Sequence, residues 1–285
     1  MQVGNKLKGI SQLIRLDLSF AAAICVVAGE ILALSGIPSL GQIIAGFSCG
    51  FFISASALVL NDYFDLESDR INAPNRPLPS GIVSKSEIIY LTVFTTLLGL
   101  YSAFVLGMSV LIIGIIFWII GILYNWKLKR TGLLGNIMVA SSVAITFIIG
   151  GIAVGNPWNV TVWSFGLMAF LVDLGEEISA DAMDLEGDKL QNSKSIAIVW
   201  GRKVALKVSS LLFGLVILVS FFPLIFGNLG NIYLLAMAII DANIIYFVYK
   251  LLKSKTDAEG RKYIIGIYRG IMVGIVVLLL GLVIF

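Results

Sequence analysis

The chain contains no histidine and only two cysteines in 285 residues. Without imidazole, nucleophile–histidine catalysis, histidine general bases and histidine-ligated metals are excluded. Cys25 and Cys49 stand apart inside apolar runs, without metal-ligand spacing, and read as small buried hydrophobes. Charge is scarce too. Asp, Glu, Lys and Arg make up 13% of the residues, against 59% hydrophobic ones, where a soluble domain carries about 25% charged residues. A globule of this size has too much surface for so few charges, so the chain belongs in a membrane. Its chemistry must come from carboxylates, Lys, Arg, Tyr, Asn and bound hard cations.

The apolar runs are long. A hydrocarbon core requires about 20 apolar residues per helix, and nine segments qualify, near 18–36, 42–60, 86–105, 108–125, 133–153, 160–178, 196–223, 231–251 and 263–285. Breakers such as GIPSLG, GNPWN and GNLGN separate several of them. The basic N-terminal stretch precedes a run interrupted by Glu30, without a small-residue cleavage site, and is read as leading into a retained first span. Nine spans put every Lys and Arg on one side. The positive-inside rule makes that side cytoplasmic, with the N-terminus and the polar connections inside and the C-terminus outside the cell membrane. Eight spans would spoil the separation. The expected architecture is all-α and polytopic, a single integral-membrane domain over residues 1–285.

Two polar connections match each other. Residues 61–69 read NDYFDLESD and residues 180–188 read ADAMDLEGD, which aligns Asp62, Asp65 and Asp69 with Asp181, Asp184 and Asp188. On one helix, this spacing gathers each triad within about 60° of arc. Such a face repels itself unless cations sit on it, and carboxylates at a membrane boundary are expensive and usually functional. An all-oxygen donor set selects Mg²⁺, Mn²⁺ or Ca²⁺ over softer metals. Mg²⁺ is commonly held by a few carboxylates together with substrate phosphates, so paired triads suit a metal-bridged diphosphate that becomes a good leaving group.

Basic residues flank these motifs. Arg70 and Arg76 follow the first, within RINAPNRPLPSG, and Lys127, Lys129 and Arg130 lie in LYNWKLKRTG. Either Lys127 or Lys129 can reach a phosphate, Arg130 reads as a topological anchor, and Tyr124 offers an aromatic face to an allylic cation or simply marks the interface. Glu30, Asp173, Glu177 and Asp241 are left without a role, Glu30 and Asp241 having Arg15 and Arg269 as possible partners.

The first motif with NRPLPSG at 75–81, the second motif followed by Lys189, and YNWKLKR at 124–130 with Gly135 and Asn136 resemble the UbiA superfamily of intramembrane prenyltransferases. LIRLD at 13–17 resembles that family's N-terminal segment, without its usual Pro and Asn. The resemblance implies nine helices around a laterally open cavity, an allylic prenyl diphosphate donor, a lipid-like acceptor and Mg²⁺, taken as two ions. It assigns metal binding to Asp62, Asp65, Asp69, Asp181, Asp184 and Asp188. Phosphate contacts fall to Asn61, Arg70, Arg76, Lys127, Lys129 and Lys189, with Tyr124 beside the reacting carbon.

Within the family, the chain is most similar to archaeal members that add a second geranylgeranyl chain to geranylgeranylglyceryl phosphate in ether-lipid synthesis. A phosphorylated acceptor calls for extra cations, and Arg15, Lys194, Arg202 and Lys203 are at hand. An aromatic acceptor such as 4-hydroxybenzoate, in quinone synthesis, is the alternative. An ion-coupled transporter fits less well, because the repeat is parallel rather than inverted. No nucleic-acid partner is expected, and the oligomeric state is open.

Overall fold

The computed structural model describes residues 2–190, 193–227 and 229–284, apart from the side chains of residues 2, 3, 5, 68, 72, 188, 190, 283 and 284. Every described regular element is a helix. The chain begins with α1 (Gln2–Ile14), α2 (Leu16–Leu34), α3 (Leu40–Phe64) and the short α4 (Leu66–Asn72). It continues through α5 (Lys85–Leu106), α6 (Met108–Trp126), a 3₁₀ turn at Leu128–Thr131, α7 (Leu133–Ala153) and α8 (Val160–Asp181). Short α9 (Leu185–Leu190) and α10 (Ile196–Trp200) lead to α11 (Arg202–Val219) and α12 (Phe222–Phe226), then α13 (Asn231–Leu252) and α14 (Asp257–Ile284).

The bundle is apolar outside, and its apolar core has small polar residues set into it. On α5, Thr92, Thr95, Thr96 and Ser102 are buried while Val93, Phe94, Leu97 and Tyr101 are exposed. The buried hydroxyls of Thr95 and Ser102 donate to carbonyls one turn back, at 2.8 and 2.9 Å. Ser39 with Gln42, and Ser84 with Glu87, form capping boxes that satisfy the first amides of α3 and α5. Helix α2 packs against α3 and α7. At its crossing with α7, a Cβ on Gly29 would collide with the Phe147 carbonyl, and one on Gly150 with that of Val26. Backbone contact of this kind is open only to glycine.

Eight helices among the described residues are long and apolar enough to cross a membrane. The expected sixth span is the exception. It forms the 22-residue α8, but Asp173, Glu176 and Glu177 dilute its apolarity. Its geometry is nevertheless that of a bundle-deep helix. It packs along α7, and Asn136 in the first turn of α7 donates to Asp181 at the last residue of α8, at 2.9 Å. The two helices therefore cover the same depth in opposite directions.

The motifs depart from the expected unbroken helical faces. At the first, α3 gives way to α4 at Asp65, whose amide still bonds to the Asn61 carbonyl at 2.9 Å and whose carbonyl accepts from the Asp69 amide at 2.8 Å. This is a kink with its ladder kept. At the second, α8 stops at Asp181, tight turns put the Asp184 amide 3.3 Å from the Asp181 carbonyl, and α9 starts at Leu185. The kink keeps Asp62 and Asp69 about one guanidinium, that of Arg76, at 3.8 and 2.7 Å, while the second break falls between Asp181 and Asp184.

Candidate active site

Side chains from five segments meet around the first motif. Asp62 and Asp69 are buried, at 4% and 6% exposure, so their charges require partners. Arg15 supplies one, its Nη2 lying 3.1 Å from Asp62 Oδ1. It can do so because it sits between α1 and α2 in the left-handed conformation, φ 46°, which turns the chain between the two helices. Arg76, carried by the proline-stiffened 73–79 loop, lies 2.7 Å from Asp69 and 3.8 Å from Asp62. Lys129, in the 3₁₀ turn after α6, pairs with Asp65. Burial and the neighbouring Arg130 pull the Lys129 ammonium down to about 8. The adjoining carboxylate favours the charged form, and with the pair in direct contact we take Lys129 as charged at neutral pH.

The segment from Lys127 to Asn136 joins the two motifs. Lys129 contacts Asp65 of the first. Asn136 contacts Asp181 of the second, and the Arg130 carbonyl accepts from the Lys194 amide at 3.2 Å. Gly132 makes the close approach possible: its φ is +72°, and a Cβ there would strike the Lys194 carbonyl. Asp184 is held from elsewhere, by Arg261 at the start of α14. The Asp188 side chain lies outside the described residues.

Other expected residues are less engaged. Lys127 follows α6 with its side chain exposed, whereas Lys129 is the one of the two lysines seen against Asp65. Arg70 pairs with Glu67 at 3.0 Å on the solvent side, rather than with the aspartates. Lys189, Lys194 and Lys203 are exposed at the same end. Tyr124 is partly buried in the last turn of α6. Arg202 reaches behind the second motif, to Ser254 at 3.2 Å and Met183 Sδ at 3.4 Å. The unassigned acids also find places. Asp241 accepts from Ser220 at 2.9 Å rather than pairing with Arg269, and Glu30 is fully buried with its carboxyl against Gly46. Asn136 and Arg261 were not singled out as site residues from sequence. Asn136 stood within a recognised segment, whereas Arg261 counted only as one more basic residue on the charged side.

Two cavities lie among the described residues, the first of them beside Asp62. One, of about 440 Å³, is lined by Gln12, Arg15, Asp62, Asn75, Arg76 and the prolines beside them. The other, of about 100 Å³, lies inside the bundle among Phe147, Phe165, Met237, Ile240 and Ile271, with Asp173, Glu176 and Tyr268 on its wall.

Among the described residues, no three carboxylates converge into a ready-made metal cage, since basic side chains occupy them. The donor chemistry nevertheless fits a hard cation shared with phosphate. All the donors are oxygen, and Asn61 Oδ1 is buried beside Asp62 without a hydrogen-bond partner among the described residues.

A polytopic helical bundle with two aspartate motifs paired to Arg15, Arg76, Lys129 and Arg261 suits a membrane-embedded transferase acting on a phosphorylated substrate. The model of the UbiA prenyltransferase family matches residues 22–283, and the chain belongs to that family. It is a prenyltransferase and a multi-pass membrane protein. It is 36% identical over 235 residues, 82% of this chain and 83% of the relative, to the digeranylgeranylglyceryl phosphate synthase of Thermococcus kodakarensis. It is 32% identical over 259 residues, 90% and 92% of the two chains, to that of Pyrococcus furiosus. A solved structure described as that of digeranylgeranylglyceryl phosphate synthase in membranes superposes with a TM-score of 0.79 at 30% identity, covering 98% of this chain and 99% of the other. A UbiA homologue from Archaeoglobus fulgidus bound to GPP and Mg²⁺ shares the fold, with a TM-score of 0.69 at 17% identity over 95% and 99% of the chains.

Proposed function

We propose that this chain transfers a geranylgeranyl group from geranylgeranyl diphosphate to the free hydroxyl of geranylgeranylglyceryl phosphate. The allylic C–O bond breaks, an ether C–O bond forms, and the hydroxyl proton leaves with diphosphate as the other product. The observation that carries the reading is the similarity to digeranylgeranylglyceryl phosphate synthases, at 36% and 32% identity over 82% and 90% of the chain.

The residues divide the work. Asp62, Asp65, Asp69, Asp181, Asp184 and Asp188 are the carboxylates that would hold two Mg²⁺ ions. When bound, the metal neutralises charge on the departing diphosphate. Asn61, Arg76 and Lys129 bind the diphosphate, with Arg70, Lys127 and Lys189 exposed at its rim. Arg15 borders the 440 Å³ cavity, and with Lys194 and Arg202 it serves the acceptor's phosphate. Tyr124 stands by the forming cation. The apolar cavity takes the prenyl chain and keeps water from the cation. At about 100 Å³ it is smaller than the about 300–1,000 Å³ of drug-sized ligand sites, so a long prenyl chain must widen it. The cation-rich end faces the cytoplasm by the positive-inside rule.

An alcohol is a weak nucleophile, and the chain has no histidine to deprotonate it. Early departure of diphosphate, followed by capture of the cation, is the easier path. Purified protein is to be incubated with geranylgeranyl diphosphate and a panel of acceptors, with mass analysis of products. The glycerol phosphate lipid should be alkylated and 4-hydroxybenzoate should not; the reverse result sinks the reading. A fluorinated allylic donor should bind about as well and react far more slowly, and an ordinary rate would rule out early ionisation.

A further inference from the structure

The connection between α13 and α14 is docked onto the second motif, although it has no part in either motif by sequence. Gly260 lies so close to Met183 that a Cβ would collide with its sulfur. The next residue, Arg261, donates from Nη2 to the Asp184 carboxylate, and to the Met183 carbonyl at 3.3 Å. Arg202 holds the same connection from its other side, donating to Ser254 Oγ at 3.2 Å and the Thr256 carbonyl at 3.4 Å. The start of α14 thus packs against the second motif, and the missing Cβ of Gly260 permits the contact.

Arg261 is also incompletely used. Its side chain and that of Asp184 are each 50% exposed. Among the described residues, its hydrogen bonds leave only from Nη2, whereas a guanidinium carries five N–H donors in a planar fork. That fork matches two oxygens of a phosphate group. Around the first motif, Arg15, Arg76 and Lys129 already bring positive charge to Asp62, Asp69 and Asp65. On the second motif, Arg261 is the basic side chain whose described contacts include a carboxylate of the triad. A phosphate group placed between the motifs meets cations on the first side and finds Arg261 on the other.

We propose that Arg261 is a phosphate-binding residue of this enzyme, holding Asp184 with one edge and donating its remaining N–H groups to a substrate phosphate. That phosphate belongs either to the prenyl diphosphate donor or to the phosphorylated acceptor. The assignment rests on the proposed transfer between two phosphorylated lipids.

The test compares wild type with Arg261→Gln and Arg261→Lys in detergent. Three quantities are measured: the Kd of an unreactive prenyl thiodiphosphate, the KM of the glycerol phosphate lipid and of its dephosphorylated form, and the Tm. Loss of a charge-assisted contact should weaken one phosphorylated ligand by at least about tenfold, with Tm nearly unchanged and partial recovery in the lysine variant. Weakened donor-analogue binding assigns the contact to the diphosphate. A raised KM for the phosphorylated acceptor alone, with the dephosphorylated one unaffected, assigns it to the acceptor. Unchanged values for both overturn the proposal. So does an equal loss for all three ligands in step with a fall in Tm, which would mark Arg261 as purely structural. If wild type does not alkylate the glycerol phosphate lipid, the proposed function fails, and the thiodiphosphate arm still decides for or against Arg261.

Discussion

Lys127 and Lys129 are two residues apart and chemically identical, yet among the described residues only Lys129 reaches a motif carboxylate. The reason is local geometry: Lys127 terminates α6, and the following 3₁₀ turn swings Lys129 onto Asp65. Lys129→Met should therefore lower kcat/KM for the donor by at least about tenfold, the worth of a lost charge-assisted contact, while Lys127→Met stays close to wild type. Steady-state kinetics on the two variants, side by side, checks this, and equal effects would refute the assignment. The carboxylates themselves should matter more. Asp65→Ala and Asp184→Ala should each reduce turnover by at least about a hundredfold, as removal of a group stabilising developing charge does, with the fold retained in a thermal-unfolding assay. A chelator should abolish wild-type activity, and Mg²⁺ should restore it. Persistence of activity in chelator would remove the metal from the mechanism.

Among the elements, α1 connects packing to chemistry most directly. It is a surface helix with Lys6 and Lys8 exposed, and its Leu13 is fully buried among Val59, Leu66, Leu78, Val83 and Ile88. Gly9 lies against Pro77, Ile82 and Val83. Two residues beyond Leu13 the chain turns left-handed at Arg15, and the guanidinium lands on Asp62. Leu13 thus anchors the helix that aims Arg15. Leu13→Ala should cost about 2–5 kcal/mol of stability, the usual range for a buried leucine, seen as a lower Tm in detergent. It should also raise the KM of the phosphorylated acceptor if Arg15 serves it. An unchanged Tm would show that α1 is not packed as described. The kink at Asp65 and the break after Asp181 belong to the same scale. The first lies between Asp62 and Asp69, which share Arg76, and the second between Asp181 and Asp184.

For the whole molecule, the decisive quantity is the number of crossings, because it fixes which ends share a side. Helix α8 carries four half-buried carboxylates, Asp173, Glu176, Glu177 and Asp181, and yet packs along α7, its Asp181 meeting Asn136. Counted with the eight membrane-length helices among the described residues, α8 makes nine expected crossings, which would put the termini on opposite faces. A cysteine at Pro157, in the exposed turn between α7 and α8, should react with an impermeant maleimide added outside the cell. A cysteine at Lys255, between α13 and α14, should react only from inside. The native Cys25 and Cys49 are buried and should not compete. Labelling of both positions from one side would refute the nine-crossing arrangement.

Composition and order alone determined that the chain lives in a membrane, and they singled out two aspartate triads as the candidate site. These are properties of runs and spacings, which solvent sorts before any long-range contact exists. The same spacings misjudged the motifs as straight helical faces, because a break at a membrane boundary depends on where the neighbouring helices end. Sequence could not separate Lys127 from Lys129, a distinction set by one 3₁₀ turn. Nor could it bring Asn136 to Asp181 or Arg261 to Asp184, which lie 45 and 77 residues apart. Those pairs exist only once α7 lies along α8 and Gly260 lets α14 sit against Met183. Charge pattern grouped the basic residues; only packing decided which of them touch a carboxylate.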